Sequence, residues 1–283
     1  MRPNVEQIER TAYDRWERRG WNHGGDRDDW YAAETELTFH ANYRTIAEYA
    51  LGGPERRVLG DGAVRRCRFC ERSARAADFG APRPVVADRT FLLSGEVCDD
   101  CQSDWREGLD ATLRDFWGRL RREGPPDPRS QTRFSVAAFK AMAASALLIM
   151  PNSELRYFGD TLEWVSNPDH DSDDQLLEGA ACRVYHAPFL GQDPRMILTR
   201  RVDEDEPFPY MLCLIECDGV MVEAPVPMCL RDEDLDGRTI EYPERIPMAG
   251  HGRDFREARG VLLPLTLSPR RAGRGVRLPA IAS

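Results

Sequence analysis

The sequence predicts an α+β protein, and three observations carry that expectation. Apolar residues recur at helical spacing near the start and again through the middle of the 283 residues. Beyond Cys182 the pattern changes to alternation rich in β-branched residues. Between the first helices and the later ones stand two Cys-x-x-Cys pairs, Cys67–Cys70 and Cys98–Cys101. The expected order is an N-terminal helical hairpin over 1–51, a treble-clef zinc finger over 55–125 and a helical pair over 130–168. An antiparallel β-meander over 181–265 and a disordered tail over 266–283 complete it.

The first helix takes Val5, Ile8, Ala12 and Trp16 on one face and ends at Gly20. Asp26 to Asp29 supply capping chemistry for a second, whose apolar stripe is Trp30, Ala33, Leu37 and Ala41, so Trp16 and Trp30 are expected to meet in the hairpin core. Gly52, Gly53, Pro54, Gly60 and Gly62 read as a linker and a turn. Within the finger, Val85–Ala87 and Thr90–Leu93 are strand candidates. Trp105, Leu109, Leu113, Phe116 and Leu120 then trace one face of a helix that begins at the second cysteine pair and is stopped by Gly124, Pro125 and Pro126. Phe134 to Met150 is a buried core helix, and Ser153 caps a further helix carrying Leu155, Phe158, Leu162 and Val165. Strands are expected at 183–185, 196–201, 210–217 and 220–226, with Asp218-Gly219 at the tip of a two-residue hairpin.

The cysteine pairs are the chemical centre of this layout. Two thiols separated by two residues grip one ion from a tight turn, and four thiolates complete the closed tetrahedral shell that structural zinc prefers. One structural Zn2+ held by Cys67, Cys70, Cys98 and Cys101 is therefore expected. Asp99 and Asp100 sit in the first turn of the helix that starts there, where carboxylates complement the helix dipole. A disulfide framework is the weaker alternative, because the chain is too long and polar for a small secreted scaffold. No basic start joins an apolar run at the N-terminus, so the cysteines are expected to stay reduced in a cytoplasmic protein. The longest apolar run, 136–150, is interrupted by Lys140 and is too short to span a bilayer, so no membrane partner is expected.

A formal charge of −9 excludes a protein that coats nucleic acid over its whole surface, while a local patch remains open. Such a patch surrounds the first pair, where Arg56, Arg57, Arg65, Arg66, Arg68, Arg72 and Arg75 face Glu55, Asp61 and Glu71. These arginines either offset the negative charge of a four-thiolate centre or contact phosphates of DNA. Arg65, Arg66, Arg68, Arg72 and Arg75 are the candidate nucleic-acid contacts. Lys140 is the sole lysine, so arginine abundance in itself carries little weight.

Two resemblances add to this reading. Ala12-Tyr13-x-x-Trp16-x-x-x-Gly20, with Gly24, Trp30, Ala33, Glu34 and Leu37, resembles a small bacterial domain of unknown function found at protein termini. Cys67-Arg68-Phe69-Cys70-Glu71-Arg72, Cys98-Asp99-Asp100-Cys101 and 162–170 together resemble a zinc-containing branch of the HNH endonucleases. In active members a histidine between the two pairs activates water and an asparagine after the second pair helps hold the site. Here the segment Phe79 to Val86 contains no histidine, and Gln102 stands where asparagine belongs. Phosphodiester hydrolysis needs a base within reach of the attacking water and a divalent ion for the developing charge. The resemblance therefore implies a finger that keeps its structural zinc without nuclease chemistry and binds nucleic acid or a protein. An active endonuclease with a rearranged site, and a scaffold recruiting a partner through its β region, are the alternatives.

Other constellations read as structural. Asp169–Asp174 around His170 is a solvated acidic loop without a calcium-loop pattern. His23 is a loop residue without a partner ligand nearby, and His186 ends a strand. Cys182, Cys213, Cys217 and Cys229 offer a second metal set on paper, but Cys213 and Cys217 share a strand face with Ile215 and read as small buried hydrophobes.

Overall fold

The computed structural model describes residues 3–51, 58–59, 66–73, 78–79, 82–86, 91–124, 126, 132–167, 177, 180–191, 193–202, 206–235 and 242–266. It is an α+β fold built on a mixed seven-stranded sheet, with a helical hairpin at the N-terminus. Helix α1 (Val5–Arg18) opens with a reciprocal cap: the Gln7 amide donates to Asn4 Oδ1 at 2.8 Å, and the Asn4 amide to Gln7 Oε1 at 3.1 Å. It closes in a Schellman turn. Gly20, at φ +77°, donates to the Glu17 carbonyl and Trp21 donates to the Trp16 carbonyl, while the two indoles meet at 4.8 Å.

Helix α2 (Asp26–Asn42) lies against α1, joined by the buried Arg15, which reaches Glu36 and Glu257, and by Arg19 on Asp29. Trp16 packs with Tyr13, Trp21 and His23, and the expected ring contact with Trp30 is not among these. The chain then runs directly into strand β1 (Tyr43–Ala50), a strand the sequence did not announce.

The finger segment supplies β2 (Val58–Leu59), β3 (Pro82–Pro84) and β4 (Phe91–Ser94), a small sheet ordered β2-β4-β3. β3 lies three residues before the expected Val85–Ala87; Val85 and Val86 instead enter the core at 1% and 4% exposure. The long helix expected after Cys98 is two helices, α3 (Asp99–Glu107) and α4 (Leu109–Glu123), broken at Gly108. Strand β5 (Phe134–Ser135) precedes α5 (Val136–Ile149), whose N-terminus is capped by Ser135 Oγ accepting from the Ala138 amide. Every residue of α5 is buried, and its run of alanines lets it press closely between α4 and the sheet. The lone lysine is buried with it, donating from Lys140 Nζ to the Asn167 carbonyl at 2.7 Å beside the Trp164 ring. The single helix expected from Ser153 onward is split into α6 (Asn152–Leu155) and α7 (Gly159–Ser166), with Phe158 between them buried.

Strands β6 (Ala181–His186), β7 (Arg195–Arg201), β8 (Met211–Cys217) and β9 (Val220–Pro225) fall where alternation put them. β7, β8 and β9 form the antiparallel meander, and β6 pairs on the far side of β9 rather than with β7. Asp218 and Gly219, at φ +52° and +79°, make the primed turn between β8 and β9. Two strand residues, Met248–Ala249 (β10), pair with Arg256–Glu257 (β11), and β12 (Gly260–Thr266) joins β6 and runs parallel to β5. The full order is β1-β7-β8-β9-β6-β12-β5. Thr266 thus still belongs to the sheet, and the tail expected beyond it lies outside the described residues, as do most of the linker 52–65 and the acidic loop with His170.

Strand β8, inside the sheet, is buried on both faces. Cys213, Ile215 and Cys217 point into the main core with α4, α5 and the finger; Leu212 and Leu214 point to smaller clusters on the other side. That main core is continuous from Cys67, Val97, Cys98 and Trp105 through α5 to the sheet. The cysteine cluster is therefore attached to the protein's interior rather than hung from its surface.

Candidate metal centre

Two local structures bring the four cysteines together. In the first, Cys67–Cys70 form a knuckle: the Cys67 amide donates to the Arg72 carbonyl at 2.8 Å, the Glu71 amide returns to the Cys67 carbonyl at 3.0 Å, and Glu71 takes φ +60° to complete the turn. In the second, Cys98 is the N-cap of α3 and Cys101 lies one turn in, so both sulfurs project from the start of the helix. The Arg68 amide donates to the Glu96 carbonyl at 2.7 Å, which ties one structure to the other. Phe69 packs edge-on against Trp105 of α3 at 4.5 Å and closes the hinge from outside.

The four Sγ atoms lie within 4.8 Å of one another. Cys67 and Cys101 are 3.8 Å apart, and Cys70 and Cys98 are 3.5 Å apart. A tetrahedron with metal–sulfur bonds of about 2.3 Å has sulfur–sulfur edges of about 3.8 Å, whereas a disulfide needs about 2.0 Å. All eight cysteines are free thiols. The cluster thus has the spacing of a tetrathiolate shell and can hold a metal ion.

The electrostatics agree. The hydrogen bond between Cys67 and Cys101, helped by backbone hydrogen bonds, holds the Cys67 thiol down to about 4. That same bond pushes Cys101 up, and burial pushes Cys98 up. Thiols this close resist ionising together, and a dication at their centre removes the conflict. Arg72 already supplies part of the charge: its Nε lies 3.3 Å from Cys70 Sγ, another nitrogen 3.8 Å from Cys98 Sγ, and a third 2.7 Å from Asp100. These contacts raise the Arg72 pKa, and they are the kind of outer-layer hydrogen bonding that orients and tunes metal ligands.

The other arginines of the predicted basic patch are placed differently. Arg68 turns inward, donating to the Leu147 and Met150 carbonyls at the end of α5 at 2.7 and 2.9 Å, to Asn152 at 3.0 Å, and pairing with Glu96. Burial lowers its pKa. Arg66 is exposed and bonds the Glu71 carbonyl and carboxylate. Arg65 and Arg75, with Arg56 and Arg57, lie outside the described residues.

Between the two pairs, Arg83 of β3 is buried with Asp110 at 2.7 Å, each 2% exposed, with its guanidinium over Trp105. The sequence offered no signal for this pair or for Arg68's reach to α5, since both span distant segments. Gln102 is buried, with its amide toward the Val97 carbonyl. Among the described residues no histidine belongs to the metal-sized group. His23 is exposed beside Trp16, and His186 ends β6 half-buried, where burial lowers its pKa. Cys182, Cys213, Cys217 and Cys229 form no such group among the described residues; burial raises all four, Cys217 and Cys229 to about 12. No described helix is long and apolar enough to cross a membrane.

Residues 4–38 match a family described as "Protein of unknown function (DUF2934)". The match covers α1 and most of α2, including the Schellman turn at Gly20. Neither the curated proteins nor the solved structures contain a match to the chain.

Proposed function

We propose that the chain is a zinc-stapled, non-catalytic binding module related to the HNH endonucleases, which presents a nucleic-acid or protein partner with a finger fused to a rigid core. The observation that carries this reading is the set of four thiols at tetrahedral spacing, with Arg72 donating to two of the sulfurs. All-sulfur shells are closed, leaving no open position for substrate or activated water. Two further features support the loss of nuclease chemistry. The segment where the resemblance expects a catalytic histidine contributes Arg83 instead, buried against Asp110 where it can neither accept a proton nor meet a phosphate. Gln102 likewise faces the interior. Arg66, Arg68 and Arg72 each bond within the finger or to α5, which favours the charge-offset role over phosphate contact at the knuckle.

The test combines metal analysis with a cleavage assay. Purified protein is expected to carry one zinc per chain and to leave supercoiled plasmid intact with magnesium, manganese or nickel. Nicking that disappears on His170→Ala or Gln102→Ala substitution would establish the active endonuclease instead.

A further inference from the structure

We propose that the cleft between α2 and the sheet binds a small neutral saccharide. Tyr31, Glu34, Thr35 and Thr38 of α2 form one wall, and Arg183 of β6 with Phe208 faces them, around a volume of about 430 Å³. That volume lies within the range of small-molecule pockets. The four α2 residues stand at i, i+3, i+4 and i+7, on one face of the helix, and all fall inside the matched stretch 4–38. No residue of the finger lines the cleft, so the inference goes beyond the zinc-finger reading and stands whatever partner that finger takes.

The wall facing α2 is held in place by its own bonds. Arg183 donates to the Tyr242 carbonyl at 2.6 Å and pairs with Glu244 at 3.3 Å, while the other Glu244 oxygen accepts from the Gly260 amide at 2.9 Å. Phe208 is anchored in a buried cluster with Phe39, Tyr43 and Leu212, and Arg201 donates to its carbonyl. The α2 wall keeps its polar groups unengaged. Among the described residues, the Thr35 and Thr38 hydroxyls have no partner and Glu34 pairs with no cation. Each hydroxyl both donates and accepts, and the carboxylate accepts, so together they match the hydroxyl edge of a sugar ring. The Tyr31 and Phe208 rings offer apolar surface to its C–H face. Charge then decides the class. Arg183 is already matched by Glu244, so the Glu34 carboxylate meets the ligand without a counter-ion and disfavours phosphorylated or acidic sugars. Arg27 lies 5.4 Å from the centre of the Tyr31 ring and bonds its phenol at 3.1 Å, a cation beside the cleft that disfavours an ammonium ligand.

The two threonine methyl groups supply the assay. Full-length zinc-loaded protein carrying 13C-methyl threonine, with the signals assigned through Thr35→Val and Thr38→Val, is titrated separately with glucose, galactose, mannose, ribose, N-acetylglucosamine and maltose. Glycerol at matched hydroxyl concentration is the control. We expect saturable shifts of the Thr35 and Thr38 methyls with at least one sugar of the set, and only a linear response to glycerol. Glu34 is exposed, so Glu34→Gln leaves the hairpin core untouched. It should weaken the sugar that binds by at least about tenfold, the loss of a hydrogen bond to a charged acceptor. The phosphorylated form of that sugar should bind the parent protein more weakly than the neutral form, and the gap should narrow in Glu34→Gln, which lost packing alone would not produce. No saturable shift with any sugar of the set, shifts equal to those with glycerol, a phosphorylated sugar bound as tightly as the neutral one, or an affinity unchanged by Glu34→Gln would each overturn the proposal.

Discussion

Arg68→Ala tests whether the finger is welded to the core. The residue stands between Cys67 and Cys70 in sequence, yet its guanidinium ends 2.7 and 2.9 Å from the last carbonyls of α5. Its pair with Glu96 is largely buried, the two side chains being 10% and 14% exposed. Removing one member of a buried pair costs on the order of 3–5 kcal/mol, and the partial exposure here argues for the lower end, about 3. For a chain of this size each kcal/mol lowers the melting temperature by about 2–4 °C, so a fall of about 6–12 °C is expected. The assay is thermal unfolding followed by circular dichroism on zinc-loaded protein, with Arg66→Ala as the comparison. Arg66 is 64% exposed and pairs with a Glu71 that is 78% exposed, so its loss should cost less than about 1 kcal/mol. If Arg68→Ala melts within about 2 °C of the parent while retaining its metal, the inward role is wrong and the arginine is free to serve a partner.

Three further perturbations follow from named contacts. Cys98→Ser removes a fully buried thiol of the proposed zinc shell; structural zinc contributes on the order of 10 kcal/mol to a finger's folding, so amide exchange protection should be lost over 91–107 while α1 and α2 keep theirs. Unchanged protection there would contradict a metal-dependent finger. Burial pushes the Asp232 carboxyl up to about 6, so between about pH 4 and 6 the folded chain holds a proton that the unfolded chain has released. Its contribution to stability therefore falls as pH rises through that window, by about 2–3 kcal/mol, and Asp232→Asn should flatten this part of the stability profile in urea titrations. Gly191 sits at φ +66°, where a Cβ would come within 2.5 Å of the Cys217 backbone; Gly191→Ala should destabilise by about 2 kcal/mol or more, and a silent substitution in urea unfolding would contradict that close approach.

What the sequence made legible was whatever local chemistry determines. Cysteine spacing gave the four-thiol cluster, alternation with Asp218-Gly219 gave β7 to β9 and their hairpin, and the Ala12-to-Gly20 stretch gave a helix with its C-terminal turn. Strand β1 was hidden because it follows α2 without a break and lies at the sheet edge, where its exposed and half-buried residues blur the alternation. The break at Gly108 was hidden for the opposite reason: the spacing of Trp105, Leu109 and Leu113 continues a helical period across it. β6 was read correctly as a strand, but its pairing with β9 passes over β7 and β8, which no short-range pattern encodes. Arg68 shows the limit most clearly. Its neighbours in sequence suggested a basic patch, while the α5 carbonyls it bonds lie 79 and 82 residues away.

The central claim is a four-sulfur metal shell, and X-ray absorption at the zinc edge on the purified protein tests it directly. The account predicts four sulfur scatterers at about 2.3 Å with no nitrogen or oxygen in the first coordination sphere. A shell containing a lighter ligand, or sulfurs joined to one another at about 2.0 Å without a metal, would contradict it.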